Sequence, residues 1–226
     1  MARPPGHGPG YEARRQEIID KAASLFAAKG YPATGTAELC AAVGLGKGAL
    51  YHYIGSKENL LVEIQDRVLT PLLDNAHRIT ALTDEEPLVK LRLLSEVLLD
   101  VIFARPDHIW VYEHDYRHVT GDNRKRLVGQ RHEFENLVQQ LLGEARQQGL
   151  LRNVDLRLAM LQFLNLHNHT YQWVHSAPAA WTPANLSAEY CSTIFSGLAA
   201  GPFSPGDLEA KVDQARARLR VPAHQG

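Results

Sequence analysis

Cysteine is scarce. The 226 residues contain two, Cys40 and Cys191, and neither belongs to a Cys-x-x-Cys pair. A disulfide framework and a cysteine zinc site are therefore excluded, and a reducing cytoplasm suits the chain. No apolar run approaches the roughly 18 residues that a membrane helix needs, so no membrane partner is expected. The opening MARPPGHGPGYEARR has no apolar core and does not read as a secretory signal. Also missing are a P-loop, a GxGxxG after a strand, a nucleophile elbow and an HExxH pair. These absences argue against an enzyme and leave no cofactor or metal to expect. His114 and His118 have the i, i+4 spacing that can grip a metal on a helix, but no carboxylate–His motif such as HExxH is present, and they read as structural.

Convincing strand-like alternation is absent too, and apolar residues recur instead at spacings of three and four. The chain reads as all-α. Residues 1–10, rich in Gly and Pro, read as a disordered arm. Helices are expected near 11–29, 36–43, 47–54, 56–79, 84–104, 107–119, 122–148, 155–176, 183–199 and 207–220, with a kink at Pro71. Ser56, Asp107, Asp155 and Thr182 are placed to cap helix starts, and Gly30 and Gly149 to end helices. Net charge is −1, yet residues 1–57 hold 7 Lys and Arg against 4 Asp and Glu. The excess leans toward a nucleic-acid-contacting N-terminus without deciding the matter.

The informative window is TGTAELCAAVGLGKGALYHYIGSKENLL, residues 34–61. It reads as helix, tight turn, helix, then a capped third helix. Gly44 supplies the positive φ that a sharp turn between two helices demands. Leu39, Val43, Leu45, Leu50 and Ile54 are spaced to share a small core. Lys47, Ala49, Tyr51, His52 and Tyr53 are left mostly outside it. That outward set suits a major-groove reader, because the start of a recognition helix meets base edges. Lys47 can donate to guanine or phosphate, and Ala49 can touch a thymine methyl. Gly48 allows close approach of the backbone. Tyr51 can bond a phosphate, and His52 a base edge or a phosphate. Lys57 follows the Ser56 cap, where its charge and the helix N-terminus both favour phosphate.

Residues 14–61, from the first helix ending in LFAAKGY through VGLGKGALYHYIGSKENLL, resemble the TetR family of transcription regulators. The resemblance implies an N-terminal three-helix helix-turn-helix domain (11–57) and a helical ligand-binding and dimerisation domain (58–200). Residues 201–226 remain as a linker and tail helix. It implies double-stranded operator DNA as partner, with Thr34, Thr36, Lys47, Gly48, Ala49, Tyr51, His52 and Lys57 at the interface. Two positions depart from the family pattern: Gly35 and Gly46 stand where Ser or Thr usually caps the two short helices. Ile54 replaces the usual Phe.

The resemblance also implies a homodimer built on the last two large helices. Leu186, Tyr190, Ile194, Phe195 and Leu198 form an apolar face suited to burial against a second copy, or within one subunit. Trp110, His114, Arg117, His118, His167, Tyr171 and Trp173 stand in two aromatic and histidine clusters, readable as effector-pocket lining or as ordinary core and surface. The stretch after Glu113 is similar to the branch of the family tied to fatty-acid or sterol breakdown, whose effectors are acyl-CoA thioesters. There Arg117, Arg124, Arg126 and Arg131 read either as attractors of CoA phosphates or as a solvated face. The expected function is a ligand-responsive repressor, released from a palindromic operator by a small molecule. An enzyme and a non-sensing scaffold are the competing readings, and the tail helix has two: an extension of the dimer interface, or a fold back onto its own subunit.

Overall fold

A computed structural model describes residues 9–220. The arm expected at 1–10 lies outside the described residues except for Pro9 and Gly10, which begin the first helix. The α-helices are α1 (Pro9–Lys29), α2 (Thr36–Val43), α3 (Lys47–Ile54), α4 (Lys57–Thr80), α5 (Pro87–Ala104), α6 (Pro106–Asp115), α7 (Gly121–Gln147), α8 (Leu156–Asn168), α9 (Pro183–Leu198) and α10 (Pro205–Arg220). Short 3-10 turns follow α6 at Tyr116–His118 and α8 at His169–Gln172 and Val174–Ser176. The expected helices at 107–119 and 155–176 therefore stop early and tighten. Strand pairing among the described residues is limited to one isolated bridge, Leu151 with Ala199.

The caps follow the chemistry of their side chains. Ser56 Oγ accepts from Asn59 N–H at 2.9 Å, Asp155 Oδ1 from Leu158 N–H at 2.9 Å and Thr182 Oγ from Asn185 N–H at 3.2 Å. Asp107 does not cap: α6 begins one residue earlier, at Pro106, and the Asp107 carboxylate accepts from Ser24 Oγ instead. Helix α4 runs from Lys57 to Thr80 through Pro71 as one element.

The chain divides into two compact units, and the division does not follow the sequence. The first joins the residues up to Val68 to Asp107–Leu127, and the second joins Leu69–Pro106 to the residues from Val128 on. A boundary at 57–58 thus departs from the structure, because those residues open the continuous helix α4. In the first unit, Ile18, Ala22 and Phe26 of α1, Leu39 and Val43 of α2, Leu50 and Ile54 of α3, and Leu61 and Ile64 of α4 are buried, as are Ile109 and Val111 of α6. Arg67 of α4 pairs with Asp20 of α1 at 2.6 Å, and Arg126 with Asp66 at 2.5 Å.

The second unit is organised on α5, which is apolar around most of its circumference and buried accordingly. Helices α8, α9 and α10 pack against it. The tail helix α10 folds back onto its own subunit. Leu208, Val212 and Ala215 are buried there, and Lys211, Arg216 and Arg218 pair with Glu86, Glu96 and Glu85. Arg92 of α5, 1% exposed, bonds Glu209 at 2.7 Å, Glu96 at 3.0 Å and the Ala184 carbonyl at 2.9 Å. A buried cation needs such pairing to offset its lost hydration.

Candidate nucleic-acid interface

The turn between α2 and α3 is a Schellman motif. Gly44 adopts φ 66° and ψ 36°, Leu45 N–H bonds the Cys40 carbonyl at 3.0 Å, and Gly44 N–H bonds that of Ala41 at 3.3 Å. Leu39, Val43, Leu50 and Ile54 are buried beneath it, while Lys47, Gly48, Ala49 and His52 are exposed. One face of α3 is thus fixed to the core and the opposite face presents a cation, two small residues and an imidazole. Neither Gly35 nor Gly46 gives its helix a side-chain cap.

Two contacts hold α3 from the sides. The Tyr51 hydroxyl lies 3.2 Å from Thr36 Oγ, linking α3 to the first turn of α2, and both residues are half-buried. Tyr11 of α1 stacks on Tyr53 at 4.6 Å, and its hydroxyl donates to the His52 carbonyl at 3.2 Å. The exit from α3 is tighter still. Gly55 has φ 69° and ψ −62°, and Ser56 N–H bonds the Ile54 carbonyl at 2.8 Å. That is a positive-φ γ-turn, a strained conformation suited to glycine.

Two of the expected interface residues point inward. Thr34 is fully buried and its hydroxyl donates to the Gly30 carbonyl at 3.0 Å. Its side chain closes the loop between α1 and α2 rather than facing solvent, which corrects the expectation for it. The Lys57 ammonium donates to the Tyr31 carbonyl at 2.6 Å and lies 4.2 Å from the Tyr31 ring centre. Burial pulls its pKa below the ordinary lysine value, against the opposing pull of Asp115 and Tyr51.

Tyr31 is the centre of a clasp that the sequence did not reveal. Its N–H donates to buried Asp115 at 3.0 Å, and His118 stacks on its ring at 5.6 Å. Beside it, Glu58 of α4 accepts from Thr120 N–H at 2.9 Å and from its hydroxyl at 2.8 Å. Asp115 and Tyr31 lie 84 positions apart, so no local spacing signals the pair.

The two clusters expected to hold an effector fall in different units. In the first unit, Trp110 and His114 stack at 4.2 Å and His114 Nδ1 lies 2.9 Å from the Trp110 carbonyl, while Arg117 is exposed and His118 half-buried. His114 and His118 do not share one helix face, because α6 ends at Asp115. In the second unit His167 is fully buried and satisfied. Its Nδ1–H donates to the Phe163 carbonyl at 2.6 Å and Nε2 accepts from Ser95 Oγ at 2.5 Å. Burial, aided by the Arg92 charge, pushes its pKa down to about 4. It is a core histidine with neither nitrogen spare, which corrects its reading as pocket lining. Tyr171 is buried, and Trp173 meets Trp181 edge-on at 5.6 Å. An open polar groove of about 600 Å³ between α7 and α8 is lined by Asn136, Gln140, Gly143, Glu144 and Leu156, and by none of the expected effector residues.

The expected dimer face also divides. Phe195 and Leu198 are buried inside the subunit, because that side of α9 packs on α5, and neither is available to a second copy. Leu186, Tyr190 and Ile194 are half-buried. Exposed apolar side chains stand elsewhere, at Leu158, Leu161 and Leu166 of α8 and at Trp181. Burial pushes the Cys191 thiol up to about 12, so it is inert.

Comparison with known proteins agrees with this architecture. Residues 18–64 match the profile of bacterial regulatory proteins of the TetR family, and residues 84–198 match the tetracyclin repressor-like C-terminal domain. The HTH-type transcriptional repressor KstR2 of Rhodococcus jostii is 27% identical over 192 residues, covering 84% of this chain and 93% of the relative. The solved structure of the ketosteroid transcriptional regulator KstR2 of Mycobacterium tuberculosis has a TM-score of 0.76 at 20% identity, over 87% of this chain and 99% of that one. AibR, solved with isovaleryl coenzyme A and operator DNA, has a TM-score of 0.68 at 24% identity, over 84% and 100%. With two matched profiles joined to a helix-turn-helix whose reading face is exposed, the chain belongs to the TetR family and is a DNA-binding transcription regulator.

Proposed function

We propose that the chain is a cytoplasmic, non-catalytic repressor that grips a palindromic operator as a homodimer and releases it when an acyl-CoA binds the second unit. The observation that carries this reading is the outward face of α3, where Lys47, Gly48, Ala49 and His52 stand exposed over buried Leu50 and Ile54. Two such faces, related by two-fold symmetry, reach successive major grooves about 34–36 Å apart. Leu158, Leu161 and Leu166 supply an exposed apolar surface for the second copy. The effector class rests on AibR, which was solved with an acyl-CoA and DNA. An effector acts here through its different affinity for the gripping and released states.

The test is fluorescence anisotropy at about 0.15 M salt, with an operator selected from a random-sequence pool and a scrambled duplex. The operator is expected to bind at least about a thousandfold tighter, and isovaleryl-CoA to reverse that binding. Equal binding to both duplexes overturns the repressor reading, and indifference to a panel of acyl-CoAs overturns the effector class. Lys47→Ala and His52→Ala are each expected to weaken operator binding by about tenfold or more while leaving the scrambled duplex less affected. Leu158→Glu is expected to shift the sedimenting species from dimer to monomer with helix content unchanged. A variant that stays dimeric moves the interface away from α8.

A further inference from the structure

Next to the reading head lies a basic edge that the helix-turn-helix does not account for. Between Tyr116 and Arg126 the chain carries Arg117, Arg124, Lys125 and Arg126 against a single acid, Asp122. Arg126 is engaged by Asp66, but Arg117, Arg124 and Lys125 are exposed. Lys125 and Asp122 form a 3.0 Å pair at the surface, 82% and 98% exposed, and such a pair is held only weakly in water. Arg124 is pre-set: it donates to the Arg117 carbonyl at 3.1 Å and its guanidinium lies 5.8 Å from the centre of the Tyr116 ring.

This edge is fastened to the end of the unit from which α2 and α4 start. Asp115 and His118 hold Tyr31, four residues before Gly35 caps α2. Thr120 is held by Glu58, in the first turn of α4. The basic residues are therefore tied, through Tyr31 and Glu58, to the loop before α2 and to the first turn of α4. Cations held in this way beside a base-reading helix complement the phosphates of a continuing duplex.

We propose that Arg117, Arg124 and Lys125 form a second phosphate-contacting edge that engages operator DNA beyond the bases read by α3. The proposal rests on the DNA-binding reading above, and the experiment separates the two. The full chain and the triple variant Arg117→Ala/Arg124→Ala/Lys125→Ala are titrated with two duplexes. One ends at the edges of the selected operator, and the other carries about ten extra base pairs on each side, one helical turn. The wild type is expected to bind the longer duplex more tightly and with a steeper salt dependence. The variant is expected to lose at least about tenfold on the longer duplex, with the slope shallower by up to about 5 for three lost phosphate contacts in each of two subunits, and to match the wild type on the short one. Equal binding of the long duplex by wild type and variant overturns the proposal while leaving the repressor reading intact. Coenzyme A is titrated alongside. If the variant loses coenzyme A affinity and keeps the long duplex, the edge serves a small molecule's phosphates and the proposal fails. A wild type that prefers no operator overturns both readings.

Discussion

Acidification from pH 7.5 to 4.5 is expected to cost the second unit roughly 2–3 kcal/mol through His167 alone, with the ring's pKa held at about 4 by burial. The sign follows from where the proton goes first. In the unfolded chain the imidazole takes a proton near its ordinary 6.5, while in the folded unit it stays neutral until about 4. Burial of the neutral ring therefore contributes its full stability above pH 6.5, and that contribution is lost as pH falls toward 4. Protonation would place a charge in the core. The Ser95 hydroxyl can turn to accept from a protonated Nε2, but burial removes the hydration that a cation needs, and Arg92 adds a like charge. Carboxylates titrate in the same window, so the comparison that isolates the effect is with His167→Gln. Urea unfolding followed by circular dichroism at the two pH values is expected to show the wild type losing the larger amount. Equal losses in the two proteins would remove His167 from the account.

Gly55→Ala is expected to destabilise the first unit by about 2 kcal/mol and to weaken operator binding by more than that loss implies. The γ-turn at Gly55 has φ 69°, where a Cβ is strained, and a Cβ built there lies 2.9 Å from Asn59 Nδ2. Relief requires the turn to open. The turn sets the angle at which α3 leaves α4, so relief also tilts the reading face. Gly46→Ala provides the contrast: its φ of −70° is ordinary and nothing lies within 4 Å of the new Cβ. Thermal unfolding and anisotropy on the selected operator check both effects. A Gly55→Ala protein as stable as Gly46→Ala, with unchanged operator affinity, would show that the turn is not a constraint.

The helices were legible because their signals are local. The caps at Ser56, Asp155 and Thr182, the Gly44 turn and the period of apolar residues all act within a few positions. The buried and exposed sides of α3 followed from the same period. What escaped the sequence is long-range. Thr34 and Lys57 sit where a DNA contact is expected, yet each is drawn to a carbonyl of the α1–α2 loop. Phe195 and Leu198 are as apolar as a dimer face requires, but periodicity alone does not say whether α5 or a second copy covers them. The Asp115–Tyr31 and Arg92–Glu209 bonds join residues 84 and 117 positions apart.

The division of the chain bears on how this regulator can be recombined. A hybrid made by joining another family member's reading head at residue 57 would carry α1 to α3 but leave Asp115, His118 and Thr120 to the recipient. Tyr31 would then meet a foreign acceptor, or none, and its half-buried N–H would lose the bond at 3.0 Å. The transplantable part is discontinuous. It needs the chain up to about Val68 together with Asp107–Leu127, so the head travels as two pieces of sequence and one piece of structure.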